Sequence, residues 1–133
     1  MNIASVGAGG FLGAIFRYLV GKIIPSQSGF PLSTLVINLL GCLFLAWFFT
    51  ITAKRKNINQ NLILAIGTGF TGAFTTFSTF SVETMSLFSH EQFIIAILYV
   101  LISILGGLAF ALIGVTLGLF FVGPKRKPKG ETE

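Results

Sequence analysis

The residues best suited to chemistry lie in one segment, residues 67–83, with the sequence GTGFTGAFTTFSTFSVE. The segment is dense in Gly, Thr and Ser, although 53% of the chain is hydrophobic and only 10% is charged. A composition of this kind, with a mean hydropathy of +0.89, is typical of an integral membrane protein. Lipid offers no hydrogen-bond partners, so irregular backbone at membrane depth requires burial in protein or a water-filled cavity. We therefore predict that this segment binds or conducts a polar species.

Aromatic and hydroxyl side chains alternate along this segment. Phe74, Phe77 and Phe80 recur every three residues, and Thr and Ser residues separate them. Such a stripe usually packs in a core or against lipid. The positive edge of an aromatic ring, together with hydroxyl hydrogens, can also replace the hydration of an anion. Glu83 continues the spacing and is predicted to share the helical face of Phe77 and Phe80, or else to mark the membrane interface.

Two further polar residues are embedded in apolar sequence. Arg17 lies within the first apolar stretch, where a charge at the helix centre costs about 2.5–3.5 kcal/mol. It either snorkels to the interface as an anchor or lines an anion vestibule. Asn38 lies near the centre of the second stretch. Its amide either joins two helices or donates to a permeating anion.

The remaining chemical motifs favour packing over catalysis. Tyr99 and Ser103 are four residues apart, so they face one direction on a helix. The glycines at GxxxG spacing, Gly9 with Gly13 and Gly114 with Gly118, predict close helix packing. No Ser/His/acid set exists within the apolar stretches, and the glycine-rich start of the chain lacks the last glycine of a dinucleotide-binding motif. We therefore predict that the protein is not an enzyme.

Four apolar stretches are long enough to span a membrane as helices, at residues 3–24, 32–53, 62–88 and 93–122. Short connections predict that neighbouring helices are antiparallel. Residues 1–123 are expected to form one four-helix transmembrane domain. Residues 124–133 form a basic tail that we expect to be disordered and cytoplasmic.

Basic residues predict the orientation in the membrane. With four spans, the N-terminus, the second connection and the tail share one side. Seven of the nine Lys and Arg residues lie there, so the positive-inside rule places both termini in the cytoplasm. Charges confined to helix ends in this way argue against a nucleic-acid partner.

Three motifs give the chain a resemblance to a known family. They are GGFLGAIFRY at 9–18, TLVINLLG at 34–41 and the segment 67–83 described above. Together with Tyr99 and Ser103 they resemble the CrcB/Fluc family of small fluoride channels. The resemblance implies an all-α membrane protein with four transmembrane helices, the third interrupted mid-membrane. It also implies an antiparallel (inverted) dimer in the cell membrane, with two passive pathways that export fluoride and lower its toxicity.

The resemblance also assigns roles to individual residues. The pore-lining positions would be Asn38, Phe77, Phe80, Ser78, Thr79, Glu83, Tyr99 and Ser103. Arg17 would stand at the vestibule. The backbone carbonyls of Gly72 and Thr75 would hold a structural sodium ion between the two subunits.

The chain departs from the family pattern in two respects. The family often has a second serine one turn after the position of Ser103, where this chain has Gly107. One side carries seven basic residues and the other carries Lys22, with Arg17 inside the membrane, and this seven-to-one bias predicts one preferred orientation. The partner in the dimer would then be an oppositely oriented homologue rather than a second copy of this chain.

Two other functions fit four short spans. A proton-coupled exporter of cationic compounds, similar to the small multidrug-resistance transporters, needs a carboxylate in the first span, where this chain has Arg17 and no acid. A non-conducting membrane scaffold would explain the glycines but not the alternation of Thr, Ser and Phe. Electrical recording with fluoride against chloride separates the three.

Overall fold

The fold is helical throughout the ranges that the computed structural model describes, residues 3–24, 29–55 and 58–123. In chain order it contains α1 (Ile3–Ile23), α2 (Leu32–Lys54), α3 (Gln60–Ile63), a π-helix (Leu64–Phe70), α4 (Thr71–Phe74), α5 (Phe77–Ser89) and α6 (Phe93–Val122). Four stretches are long and apolar enough to cross a membrane, and the third of them is Gln60–Ser89. The prediction of an all-α protein with four spans is confirmed. The predicted disordered tail, residues 124–133, lies outside the described residues.

The predicted spans agree closely with the observed helices. The bounds of α1, α2 and α6 differ from the prediction by at most one residue at either end. The third stretch begins two residues earlier than predicted, at Gln60. Its start is set by Asn59, whose side-chain oxygen accepts a hydrogen bond from the Asn61 N–H at 2.9 Å, as in a standard N-cap.

Helices α2 and α6 pack closely side by side because glycines line the contact. A Cβ atom on Gly106 would lie 3.0 Å from a Leu39 methyl group, and one on Gly118 would lie 2.7 Å from Cβ of Thr50. A Cβ on Gly114 would overlap a backbone carbonyl of α2. The absence of side chains therefore permits the approach, as the GxxxG spacing predicts.

Helix α1 packs against the π-helix in the same way. A Cβ on Gly9 would collide with the carbonyl oxygen of Ala65, and a Cβ on Gly13 would collide with that of Phe70. From the other side, Gly69 approaches the backbone of α1 equally closely. The sequence predicted irregular backbone from residue 67 onwards but gave no sign of the wider π-helical turns at Leu64–Phe70.

The buried core is small and lies between α2, α5 and α6. Its fully enclosed members are Ala96 and Tyr99, each 0% exposed, and Leu35 and Leu87 pack with them. Most large apolar side chains on the outer surfaces of α1 and α6 are exposed, as expected for helices that face lipid. The core is therefore concentrated beside the polar segment that the sequence singled out.

Thr75 and Thr76 separate α4 from α5. Thr75 has φ −77° and ψ 159°, and Thr76 has φ −146° and ψ 117°, which are extended conformations. Gly72, by contrast, lies inside α4. The resemblance singled out Gly72 and Thr75 in the interrupted part of the helix, whereas the residues with extended backbone are Thr75 and Thr76. These two residues set the direction in which α5 leaves α4.

Candidate functional site

Asn38 on α2 makes two hydrogen bonds to the extended link between α4 and α5, which consists of Thr75 and Thr76. Its Nδ2 donates to the Thr76 carbonyl at 3.1 Å, and its Oδ1 accepts from the Thr76 backbone N–H at 2.9 Å. The Thr76 N–H, which has no helical acceptor, thus finds one in Asn38, and the Thr76 carbonyl gains a donor in addition to the first N–H of α5 that it accepts as the N-cap. Asn38 positions the link and still has one amide hydrogen to donate elsewhere.

Thr76 in turn begins α5. Its Oγ1 accepts a hydrogen bond from the Thr79 N–H at 3.2 Å, the contact that defines an N-cap. The same hydroxyl donates to Oγ1 of Thr79 at 2.9 Å and lies 3.3 Å from Oγ of Ser78. Because Thr79 accepts in this pair, its own hydroxyl hydrogen points elsewhere. Both Ser78 and Thr79 are exposed in the single chain.

The link also frees two backbone carbonyls from the helical pattern. In a continuous helix the Gly72 carbonyl would accept from the Thr76 N–H, but that N–H donates to Asn38. The Thr75 carbonyl would accept from the Thr79 N–H, but that N–H donates to the Thr76 hydroxyl. The two carbonyls that the sequence resemblance singled out are therefore those whose helical donors are taken by side chains.

Glu83 is fixed by two hydroxyl groups from neighbouring helices. Thr34 on α2 donates to Oε1 at 2.8 Å, and Tyr99 on α6 donates to Oε2 at 2.8 Å. Each carboxylate oxygen thus has a donor, and the three residues connect α2, α5 and α6. Hydrogen bonds to a charged group are among the stronger ones in proteins, so this triad stabilises the arrangement of the three helices.

Four aromatic rings follow one another beside the triad. The Phe80 ring lies 5.1 Å from the Tyr99 ring between centroids, and Phe77 lies 5.9 Å from Phe80. Phe30 meets Tyr99 edge to face at 5.5 Å. Tyr99 is buried and Phe80 partly so, but the Phe77 side chain is 80% exposed. This chain alone therefore leaves one side of the aromatic row uncovered.

The other predicted site residues lie apart from this cluster. Ser103 donates its hydroxyl to the Tyr99 carbonyl on its own helix at 2.7 Å. Arg17 is half-buried on α1, which packs mainly against the π-helix and α4 rather than α5. Gly107 faces α2, where an added Cβ would lie 3.4 Å from Sγ of Cys42. The structure therefore brings Asn38, the α5 residues and Tyr99 together, but not Arg17.

Two cavities of about 280 Å³ each flank the polar row, the line of polar and aromatic side chains from Asn38 and Thr76 to Glu83. One is lined by Asn38, Thr76 and Phe77 among others, and the second by Glu83 and Ser86. The first half of α5 separates them, a rise of about 10 Å. A row of neutral donors and rings between two cavities is an arrangement that can pass a small anion.

The positions of the basic side chains support a path that an anion can both enter and leave. Among the described residues, the Lys and Arg side chains lie on α1 or at the far end of α2. A full positive charge at the row would bind an anion too tightly for it to leave, whereas dipolar donors do not. Within the same residues, no group of three His, Cys, Asp or Glu side chains could hold a metal ion.

Sequence analysis missed Thr34 and Phe30 and did not assign Thr76 its role. Thr34 and Asn38 are four residues apart on α2, so a shared face was predictable. Thr76 also had a signal, because a Thr three residues before Thr79 at a helix start is typical of an N-cap. Phe30 had none, since it precedes α2 and its contact with Tyr99 depends on the tertiary fold.

Comparisons with known proteins identify a family and several named relatives. The family model described as CrcB-like protein, Camphor Resistance (CrcB), matches residues 4–115. A Bacillus cereus protein named fluoride-specific ion channel FluC 1 is 52% identical over 119 residues, which cover 88% of this chain and 83% of that protein. Fluoride-specific ion channel FluC of Oceanobacillus iheyensis is 47% identical over 119 residues, covering 90% of this chain and 92% of that protein.

A more distant relative is also matched over most of its length. Fluoride-specific ion channel FluC 1 of Latilactobacillus sakei is 42% identical over 109 residues, covering 82% of this chain and 81% of that protein. The family match covers the whole polar row, the second and third apolar stretches, and most of the first and fourth. The chain therefore belongs to the CrcB-like family.

Proposed function

We propose that this protein is a passive, fluoride-selective ion channel that lets fluoride leave the cytoplasm and so lowers its toxicity. The observation that carries the proposal is the row of neutral donors and aromatic rings between the two cavities, from Asn38 and Thr76 to Glu83. The names of the relatives, fluoride-specific ion channels at about half identity, supply the ion.

The donors available to the ion are the ones that the structure leaves unused. The second amide hydrogen of Asn38 and the hydroxyl hydrogen of Thr79 are not needed for the contacts with Thr76. The ring edges of Phe77 and Phe80 carry positive partial charge and replace part of the ion's hydration. A small anion passes from donor to donor and meets no full cation in this row.

Glu83 has a positioning role in this proposal. A bare carboxylate beside an anion path would repel the ion, but both of its oxygens are held by donors on α2 and α6. The triad fixes the Tyr99 ring, which in turn supports Phe80. Ser103 lies on the same helix as Tyr99, one turn further along the chain. Arg17 contributes positive potential at the vestibule.

The channel works as an antiparallel dimer with two pores in this proposal. Support comes from the uncovered side of the aromatic row, where Phe77 is 80% exposed, and from Gly72, which is exposed and has open space around the position of a Cβ. The partner is a second copy or an oppositely oriented homologue. Both termini face the cytoplasm in the preferred orientation. The third span is interrupted mid-membrane, with α3, the π-helix and α4 before the interruption and α5 after it.

A structural sodium ion fits the link between α4 and α5. Hard cations prefer oxygen ligands, and the carbonyls of Gly72 and Thr75 have lost their helical donors to Asn38 and Thr76. When bound, sodium would supply positive charge that joins the two links at the dimer centre. The residues of this chain hold the carbonyls in place for it, chiefly through the Asn38 contact.

Electrical recording of the purified chain in planar bilayers tests the proposal. Fluoride should carry current with no measurable chloride current, and Asn38→Asp should abolish it, because an acceptor then faces the Thr76 carbonyl and the donor to the ion is lost. Asn61→Asp, the same change at an exposed site on α3, should leave the current intact. Equal fluoride and chloride currents, or an unchanged current in Asn38→Asp, would contradict it. Proton-coupled transport or no current would favour the exporter or the scaffold.

A further inference from the structure

A third cavity, separate from the two beside the polar row, lies where α2 and α6 end. It has a volume of about 420 Å³ and lies far from the polar row. Its walls are apolar and come mainly from Trp47, Phe48, Ile51 and Phe121, and Arg55 stands at its edge. Helix α2 ends at Lys54 and α6 at Val122, so both helices finish beside it. We call this end of the helix bundle, which is marked by Lys54, Arg55 and Val122, the basic end.

Charge is strongly one-sided at the basic end. Lys54 and Arg55 are exposed there. Among the described residues, the two carboxylates lie at the opposite end: Glu83 bonds to Thr34 at the start of α2, and Glu91 lies between α5 and α6. From Thr34 to Lys54 α2 rises about 30 Å, so neither acid neutralises the basic end.

The order of side chains from the cavity to the helix end matches the layers of a phospholipid. Aromatic and aliphatic residues, Trp47 among them, form the inner wall, and Arg55 follows where the helix has ended. Basic pockets between transmembrane helices on the cytoplasmic side bind anionic head groups. A planar guanidinium suits a phosphate better than an ammonium group does.

We propose that this cavity is a binding site for an anionic phospholipid, with its acyl chain against Phe48, Ile51 and Phe121 and its phosphate at Arg55. The proposal does not depend on fluoride conduction. It also gives the charge bias of the chain a second consequence, because a lipid held at the basic end favours the orientation that places this end in an anionic leaflet. A nucleic-acid partner would have no use for the apolar walls.

Native mass spectrometry of the purified full chain, with counted lipids, tests this site. The probes are phosphatidylglycerol and phosphatidylcholine with identical acyl chains. The chain should retain phosphatidylglycerol preferentially, and Arg55→Gln should weaken its binding about fivefold, the effect expected for one basic residue near the membrane surface. Arg55 is exposed after the end of α2, so folding should be unaffected. Lys22→Gln makes the same change of charge on α1 and should not alter binding.

A second variant separates a lipid site from a simple phosphate site. Phe121 is 72% exposed and lines the cavity, so Phe121→Ala should weaken phosphatidylglycerol binding without unfolding the chain. Inorganic phosphate should not displace the lipid. Equal retention of the two lipids, equal effects of Arg55→Gln and Lys22→Gln, no effect of Phe121→Ala, or displacement by inorganic phosphate would each overturn the proposal.

Discussion

Asn38 of α2 and Thr76, which precedes α5, exchange two hydrogen bonds, at 3.1 and 2.9 Å. The amide oxygen of Asn38 thereby replaces the Gly72 carbonyl, which would accept from the Thr76 N–H in a continuous helix. The pairing makes the link between α4 and α5 dependent on α2, and it frees the carbonyl of Gly72. Asn38 is therefore a positioning residue as well as a candidate donor to the ion.

Removing the Asn38 amide should destabilise the fold. Asn38→Leu keeps a similar size but leaves the Thr76 N–H without an acceptor, and a buried unpaired group of this kind costs about 1–3 kcal/mol. We expect the free energy of unfolding, measured by SDS titration of mixed micelles, to fall by about 1–3 kcal/mol. Asn61→Leu, at an exposed position, should change it little. Equal stability of the two variants would show that the Thr76 contacts do not hold the link.

The Glu83–Tyr99 contact should be measurable as a coupling energy. Tyr99→Phe keeps the ring against Phe80 and Phe30 but removes the donor to Oε2 of Glu83. A hydrogen bond to a charged group contributes about 1.5–3 kcal/mol, so Tyr99→Phe should lower the free energy of unfolding by that amount. A double-mutant cycle with Glu83→Gln should return a coupling of at least about 1 kcal/mol. Strictly additive effects would argue against the contact, and Tyr18→Phe on the exposed side of α1 is the control.

The seam between α1 and the π-helix should not tolerate a methyl group. In Gly13→Ala the new Cβ would collide with the Phe70 carbonyl, and overpacking of this kind typically costs about 1–3 kcal/mol. Gly21→Ala on the same helix meets open space and should be neutral or slightly stabilising, since Ala favours a helix. Thermal unfolding in detergent compares the two. Similar melting temperatures would mean that the seam is looser than the structure shows.

Gly72 should matter for the assembly but not for the single chain. Its Cβ position is open, as is that of Gly7, so Gly72→Ala and Gly7→Ala should both fold normally. If the proposed partner and sodium ion meet the chain at Gly72, only Gly72→Ala should lower the fraction of dimer captured by cross-linking in liposomes. An unchanged fraction would place the dimer centre elsewhere.

The sequence predicted the elements well because hydropathy and length suffice to find a membrane span. It also found most members of the polar row, since a buried Asn or Glu in an apolar helix stands out by type alone. It did not predict which of these residues contact each other. That Glu83 meets both Thr34 and Tyr99 depends on the rotation and height of three helices, which spacing along one helix does not determine.

Two features of the backbone were also beyond the sequence. The π-helix at Leu64–Phe70 follows from the close approach of Gly69 to α1, a tertiary contact. The extended conformation of Thr76 follows from its pairing with Asn38, which lies 38 residues away. The density of Thr and Gly predicted irregular backbone in this region but not the residue at which it occurs.

Fluoride efflux from liposomes tests the central claim most directly. Reconstitution from detergent lets the chain insert in both orientations, so an antiparallel pair can form without a second protein. The wild type should release fluoride but not chloride, as followed with ion-selective electrodes. Phe80→Ile should reduce the rate to that of protein-free liposomes, whereas Phe120→Ile, the same change at a side chain 84% exposed on α6, should match the wild type. Equal rates for Phe80→Ile and the wild type, or no fluoride release from the wild type, would contradict the account.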